Sequence, residues 1–230
     1  MSAALKRAPR VGIPFGEATE GRERRKQEYY LEAVRAAGGE PVVVSTADAP
    51  ACVVQIAATL DGILLPGSAA DVNPQLYHAQ RQPRCAPSDP AREQTDYQLL
   101  EVAFRERKPL LTICYGTQIL NVFRGGTLVQ HLDGHEGGKK HSINCQGGSL
   151  VGELAGGSVA TVNSFHHQAI LRPGGELRVV AHAADGTIEA VEGQGARHLV
   201  VGVQWHPERD FDSNAFSRAL FEKFIERAAR

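Results

Sequence analysis

The sequence predicts an α/β fold in one domain, residues 1–230, with a mainly parallel central sheet flanked by helices and a β-rich late segment. Short apolar runs and amphipathic segments alternate through the first half, the order of a parallel sheet with crossover helices. Runs such as Pro41–Val44 and Ile63–Leu65 are apolar at every position, as expected of parallel strands buried on both faces. From Leu128 the texture changes to Gly-rich segments separated by short β-like runs.

Element by element, Arg10–Ile13 is a first strand, and Arg22–Ala37 a helix with Tyr30, Leu31, Val34 and Ala37 at helical spacing. Gly38-Gly39 ends it. After Pro41–Val44, Asp48 is placed to cap a helix carrying Val53, Val54, Ile56 and Leu60. Ile63–Leu65 is cut off by Pro66-Gly67, and the loop that follows runs to about Asp89, a length that points to function. A helix carries Asp96, Leu99, Leu100, Val102 and Phe104. The strand Pro109–Ile113 then runs into Cys114, followed by a short helix Thr117–Phe123 that Gly125-Gly126 closes. The late strands are Val159–Val162, Leu177–Ala181, Thr187–Val191 and Leu199–Val203. Ser213–Arg230 is an amphipathic helix with Phe216, Leu220, Phe221 and Phe224 on one face and Ser213 as its cap.

Composition excludes several function classes. Hydrophobic residues make up 42% and charged residues 22%, and the net charge of −1 gives no electrostatic reason to expect nucleic acid or an anionic membrane as partner. Arg22, Arg24, Arg25 and Lys26 cluster, but as the opening of a solvated helix. Lys6, Arg7 and Arg10 have no apolar stretch behind them, so no secretory signal is expected, and no run approaches the roughly 20 residues of a membrane span. Cys52, Cys85, Cys114 and Cys145 are scattered, unlike a disulfide framework, which points to a reducing cytoplasm. His141 and Cys145 are four apart, yet their surroundings do not read as helix, so no metal site is expected.

Two segments carry chemistry. Leu110–Phe123 joins a buried strand, Cys114, Gly116 two positions later and a helix, the parts of a nucleophile elbow. Such a turn presents its side chain at the C-terminal edge of the sheet, where helix-start N–H groups favour a thiolate. The Tyr115 N–H would face a developing oxyanion. Alone, Cys114 would read as a small buried hydrophobe, the usual fate of a free cysteine. The second segment, Leu199–Glu208, is an apolar strand that ends in His206, with Glu208 two residues on. A thiol needs a base, and the base needs a partner on its other nitrogen. Two such strand ends in one short chain reinforce each other.

Cys114-Tyr-Gly116-Thr-Gln118 and Gln204-Trp-His206-Pro-Glu208 resemble the two signatures of class I glutamine amidotransferase domains, a flavodoxin-like architecture. More narrowly the chain is similar to the gamma-glutamyl hydrolase branch, peptidase C26, and within it to gamma-glutamyl-gamma-aminobutyrate hydrolases of putrescine degradation. The resemblance includes Leu65–Ser68, Asp71–Pro74, Tyr77, Gly125–Leu128, Val162–Gln168 and Asp185–Ala190. It implies Cys114 as nucleophile, His206 as general base and acid, and Glu208 as orienter. The oxyanion hole would come from Tyr115 and from Gly67 or Ser68, and the substrate pocket from Gln118, Asn163, Ser164, Phe165 and His166. No cofactor or metal is implied. The expected partner is a small gamma-glutamyl amine, cleaved through a thioester, and a homodimer is left open.

Two departures stand out. Thr112 replaces the usual Gly or Ala, predicting a less closely packed elbow. Tyr115 stands where the hydrolases often have Arg, and Cys-Tyr-Gly resembles amidotransferases that feed a synthase, such as GMP synthetase; Trp205 and the His-His-Gln run resemble the hydrolases. The alternatives are therefore a glutaminase subunit delivering ammonia to a separate synthase and a non-catalytic binding protein on the same fold.

Overall fold

Strands of the first half are too short and too apolar to stand alone, and they assemble side by side into one sheet. The structure is a computed structural model that describes residues 7–17, 21–195 and 198–230; Lys6 of the basic N-terminal group lies outside them. The strands are β1 (Arg10–Phe15), β2 (Glu40–Ser45), β3 (Gly62–Leu65), β4 (Leu110–Ile113), β5 (Thr127–Val129), β6 (Lys139–Cys145), β7 (Val159–Ser164), β8 (Ala169–Arg172), β9 (Leu177–Ala183), β10 (Ile188–Gly193) and β11 (Val200–Val203). The helices are α1 (Gly21–Ala36), α2 (Pro50–Ala58), α3 (Pro90–Glu106), α4 (Tyr115–Phe123), α5 (Leu150–Ala155) and α6 (Ala215–Ala228).

The sheet runs β2-β1-β3-β4-β11-β10-β9-β6-β7, with β8 joined to β10 and β5 to β8. It is parallel from β2 to β11 and antiparallel beyond, so the late β-rich segment extends the same sheet. Alternation along each parallel strand sends neighbours to opposite faces. Leu64, Leu111, Ile113, Val201 and Val203 join Tyr30 and Val34 of α1 and Phe221 and Phe224 of α6 in one core. Ile63, Leu65, Leu110 and Val200 join α2, α3 and α4 in the other. Each fully buried Leu, Ile or Phe contributes about 1.5–3 kcal/mol.

Several local expectations are corrected. Pro41–Val44 is apolar at every position, yet β2 is the edge strand: Val44 is buried and Val43 is 52% exposed. Asp48 does not cap α2; Ala49 holds the cap position without a side-chain bond, and Pro50 starts the helix. At α6 the cap is Asn214, whose side chain accepts from the Phe216 N–H, one residue after the expected Ser213. The elements β5, β6, β8 and α5 were not legible, because β6 and β8 take their extended form from partners far along the chain.

Candidate active site

At the junction of β4 and α4 the chain turns so sharply that Cys114 takes φ 52° and ψ −109°, a region where a non-glycine residue stores about 1–3 kcal/mol of strain. The surroundings hold it there. Its N–H donates to the Val203 carbonyl at 2.8 Å, and its carbonyl accepts from Thr117 and Gln118 N–H groups at 2.9 and 3.1 Å. Gly116 is obligatory, since a Cβ there would lie 2.2 Å from the Leu65 carbonyl oxygen. Thr112 does not loosen the elbow. Its register partner is Gly202, and its hydroxyl pairs with that of Thr117 at 3.0 Å, which in turn donates to Val203.

The neighbouring strand β11 delivers His206 to the same edge. His206 Nδ1 lies 2.7 Å from Glu208 Oε1, and the Asn163 side-chain amide bonds both backbone groups of His206. Burial alone would lower the His206 pKa. The charges of Glu208 and of Cys114, with hydrogen bonds to both, outweigh it and raise it to about 10. The Cys114 and His206 side chains also share a neighbour: a Cβ on Gly67 would lie 2.9 Å from His206 Cε1 and 3.7 Å from Cys114 Cβ.

The Pro66–Gly67 peptide is held at both ends. Buried Arg92, paired with Asp96 at 2.9 Å, donates to the Pro66 carbonyl at 2.7 Å, and the Gly67 N–H donates to Tyr30 Oη at 3.0 Å. Tyr30 Oη is also 3.4 Å from His206 Nδ1. Sequence reasoning missed both residues as site residues. Tyr30 looked like one more apolar position of a helix, while Arg92 and Asp96, four apart on α3, were the signal available for a buried pair.

A cleft of 490 Å³ opens over this edge, lined by Tyr30, Gly67, Ser68, Phe165, His206 and Glu208, with Arg22 and Lys26 of α1 at its border. Arg209 stacks on Phe165, 4.0 Å from the ring centre, and Phe165 meets His206 edge-on. Of the residues expected in the substrate pocket, only Phe165 lines this cleft. Asn163 is engaged with His206, Gln118 donates to the Gln168 carbonyl, Ser164 donates to the His135 carbonyl, and His166 turns its Nε2 toward Glu189. A cleft of 530 Å³ at Phe104, Arg107 and His198 sits at the opposite ends of β10 and β11, away from Cys114. All four cysteines are free thiols. No helix among the described residues is long and apolar enough to cross a membrane.

Comparison with known proteins gives the family and the fold. The peptidase C26 family model matches residues 14–208. A gamma-glutamyl-gamma-aminobutyrate hydrolase of Escherichia coli is 36% identical, covering 86% of this chain and 84% of its own length. A glutamine amidotransferase-like protein of Lactococcus lactis is 33% identical over 81% and 82%. The glutaminase domain of CTPS from Trypanosoma brucei, solved with acivicin bound, superimposes with a TM-score of 0.69 at 13% identity, covering 96% of this chain and 94% of that domain, a likeness of fold. Fold and relatives together define an enzyme that hydrolyses C–N amide bonds, of the gamma-glutamyl hydrolase and glutamine amidotransferase type. The chain belongs to the peptidase C26 family.

Proposed function

We propose that the protein cleaves the gamma-glutamyl amide bond of a small gamma-glutamyl amine, such as gamma-glutamyl-GABA, with Cys114, His206 and Glu208 as catalytic triad. The observation that carries this reading is the His206–Glu208 bond of 2.7 Å on an imidazole that shares the Gly67 corner with Cys114, whose backbone is held at the strained elbow. The Cys114 thiolate attacks the gamma-carbonyl, and the oxyanion is received by the Tyr115 N–H and by that of Gly67 or Ser68. Because Gly67 already donates to Tyr30, an oxyanion there takes the place of the tyrosine hydroxyl. His206 protonates the departing amine, leaving a glutamyl thioester. Water, deprotonated by His206, then releases glutamate and restores the thiol. A thiol nucleophile suits a reducing cytoplasm, and a putrescine-degrading route is the setting we infer from the resemblance to gamma-glutamyl-gamma-aminobutyrate hydrolases.

Removing the sulfur tests this directly. A Cys114→Ala protein should bind gamma-glutamyl-GABA and turn over none of it, and wild-type rates would end the proposal. The glutaminase reading rests on Tyr115 in the elbow. Glutamine turnover that appears only with a separate synthase chain would favour it over the free hydrolase.

A further inference from the structure

Behind the cleft, strands β6, β7 and β10 gather four ionisable side chains that the triad does not use. Glu189 is 1% exposed, and neither of its carboxylate oxygens has a hydrogen-bond partner. Three imidazole nitrogens surround its Oε1: His135 Nδ1 at 3.3 Å, His141 Nε2 at 3.5 Å and His166 Nε2 at 3.5 Å. The outer nitrogen of each ring faces an acceptor. His135 Nε2 is 2.9 Å from Asp185 Oδ2, His166 Nδ1 3.1 Å from the Gln168 carbonyl, and His141 Nδ1 3.3 Å from the Ser142 carbonyl. Carboxylate and carbonyl oxygens only accept, so each outer nitrogen donates and each ring turns its other nitrogen inward, that of His135 lying 3.3 Å from Ser164 Oγ as well. The inward nitrogens of His141 and His166, like both oxygens of Glu189, are buried without a hydrogen-bond partner, a set of donor atoms that one cation would satisfy.

The spacing identifies the kind of cation. Charge-assisted hydrogen bonds between such groups run about 2.7–2.9 Å, shorter than any of the three contacts. Bonds of about 2.0–2.1 Å from one tetrahedral ion give ligand-to-ligand edges of about 3.4 Å, which these contacts match. The ligand atoms of His135, His166 and Glu189 all lie within 4.8 Å of one another. Imidazole nitrogens with one carboxylate suit zinc, whereas magnesium and calcium take oxygen donors. Outer nitrogens on a carboxylate and on backbone carbonyls are the support that metal-binding histidines ordinarily have. The geometry points to a structural site for one zinc-class divalent cation held by His135, His166 and Glu189, with His141 beside it, 3.5 Å from the same carboxylate oxygen. It would pin β10 to β6 and to the end of β7, the strand whose Asn163 positions His206. This inference does not depend on the substrate proposed above.

The test uses the full chain stripped of metal with a chelator, then titrated with zinc against a chromophoric chelator and, separately, with cobalt(II). One equivalent of zinc should bind. Cobalt should give the visible bands of a tetrahedral nitrogen and oxygen site, without a sulfur-to-cobalt charge-transfer band. Cys114→Ala should keep the full stoichiometry, while Glu189→Gln and His166→Ala lose it. Should those ligand variants fail to fold, Asp185→Asn, which meets the cluster only at the outer nitrogen of His135, should still weaken zinc binding by roughly 10–100-fold. A wild-type chain that takes up no zinc would show that protons on the inner nitrogens supply the charge, and would overturn the site. Uptake that vanishes in Cys114→Ala, or a cobalt spectrum with thiolate character, would place the ion in the catalytic pair and overturn it equally.

Discussion

His206 sits buried between the Glu208 carboxyl and the Cys114 sulfur, and its proton is the quantity most sensitive to its neighbours. The raised folded-state pKa means that the stability gained from imidazolium is complete below the ordinary value of 6.5 and is lost as the pH climbs through about 10. In the proposed mechanism the general acid therefore stays loaded across neutral pH, and kcat/KM should hold on the alkaline side and fall near pH 10. Glu208→Gln removes the foremost charge that raises the pKa, so the alkaline limb should move down toward 6.5. A pH–rate profile of the two proteins checks this. Gly116 answers to sterics instead. Gly116→Ala drives a methyl into the Leu65 carbonyl and should cost about 1–3 kcal/mol in denaturant unfolding, with activity nearly abolished because the elbow must shift.

Helix α3 does more than cover the sheet. Its Arg92–Asp96 pair is almost wholly buried, with side-chain exposures of 6% and 0%, and reaches across to the Pro66 carbonyl at the end of β3. Asp96→Ala would leave an uncompensated guanidinium and should destabilise by about 3–5 kcal/mol. The double change Arg92→Met with Asp96→Leu should recover much of that loss, since an apolar replacement of a buried pair is often neutral. If the peptide clamp matters for rate, the double variant folds well and still turns over slowly. Urea unfolding and steady-state kinetics on the same samples separate the two effects. The short helix α4 shows the reverse economy: its nine residues carry no side-chain cap, and it begins directly after Cys114 because the elbow itself supplies the turn.

The assembled sheet divides the labour. Its parallel half, from β2 to β11, ends at the cleft with Cys114 and His206 on adjacent strands, while its antiparallel half carries Asn163 and the buried histidine cluster behind them. The later turns of helix α6 pack the face beneath β3, with Phe224 fully buried against Gly62. Phe224→Ala should cost about 3–5 kcal/mol through the cavity it leaves, yet keep kcat per folded molecule unchanged. Active-site titration beside thermal unfolding would show this, and a matching fall in kcat would mean that the core and the site are coupled.

Period and punctuation in the chain already carried the alternating helices and strands, the elbow at Cys114 and the strand end at His206, because these depend on residues within a few positions of one another. Much else was decided only when distant segments met. The edge position of β2, the extended form of β6 and β8, and the fit of Thr112 against Gly202 are contacts across the sheet, invisible to local spacing. The same holds for Tyr30 between Gly67 and His206, for Asn163 turned to the catalytic strand, and for three histidines closing on Glu189. Hydrophobic pattern reports which face of an element is buried, but not which polar group from another part of the chain will be waiting there.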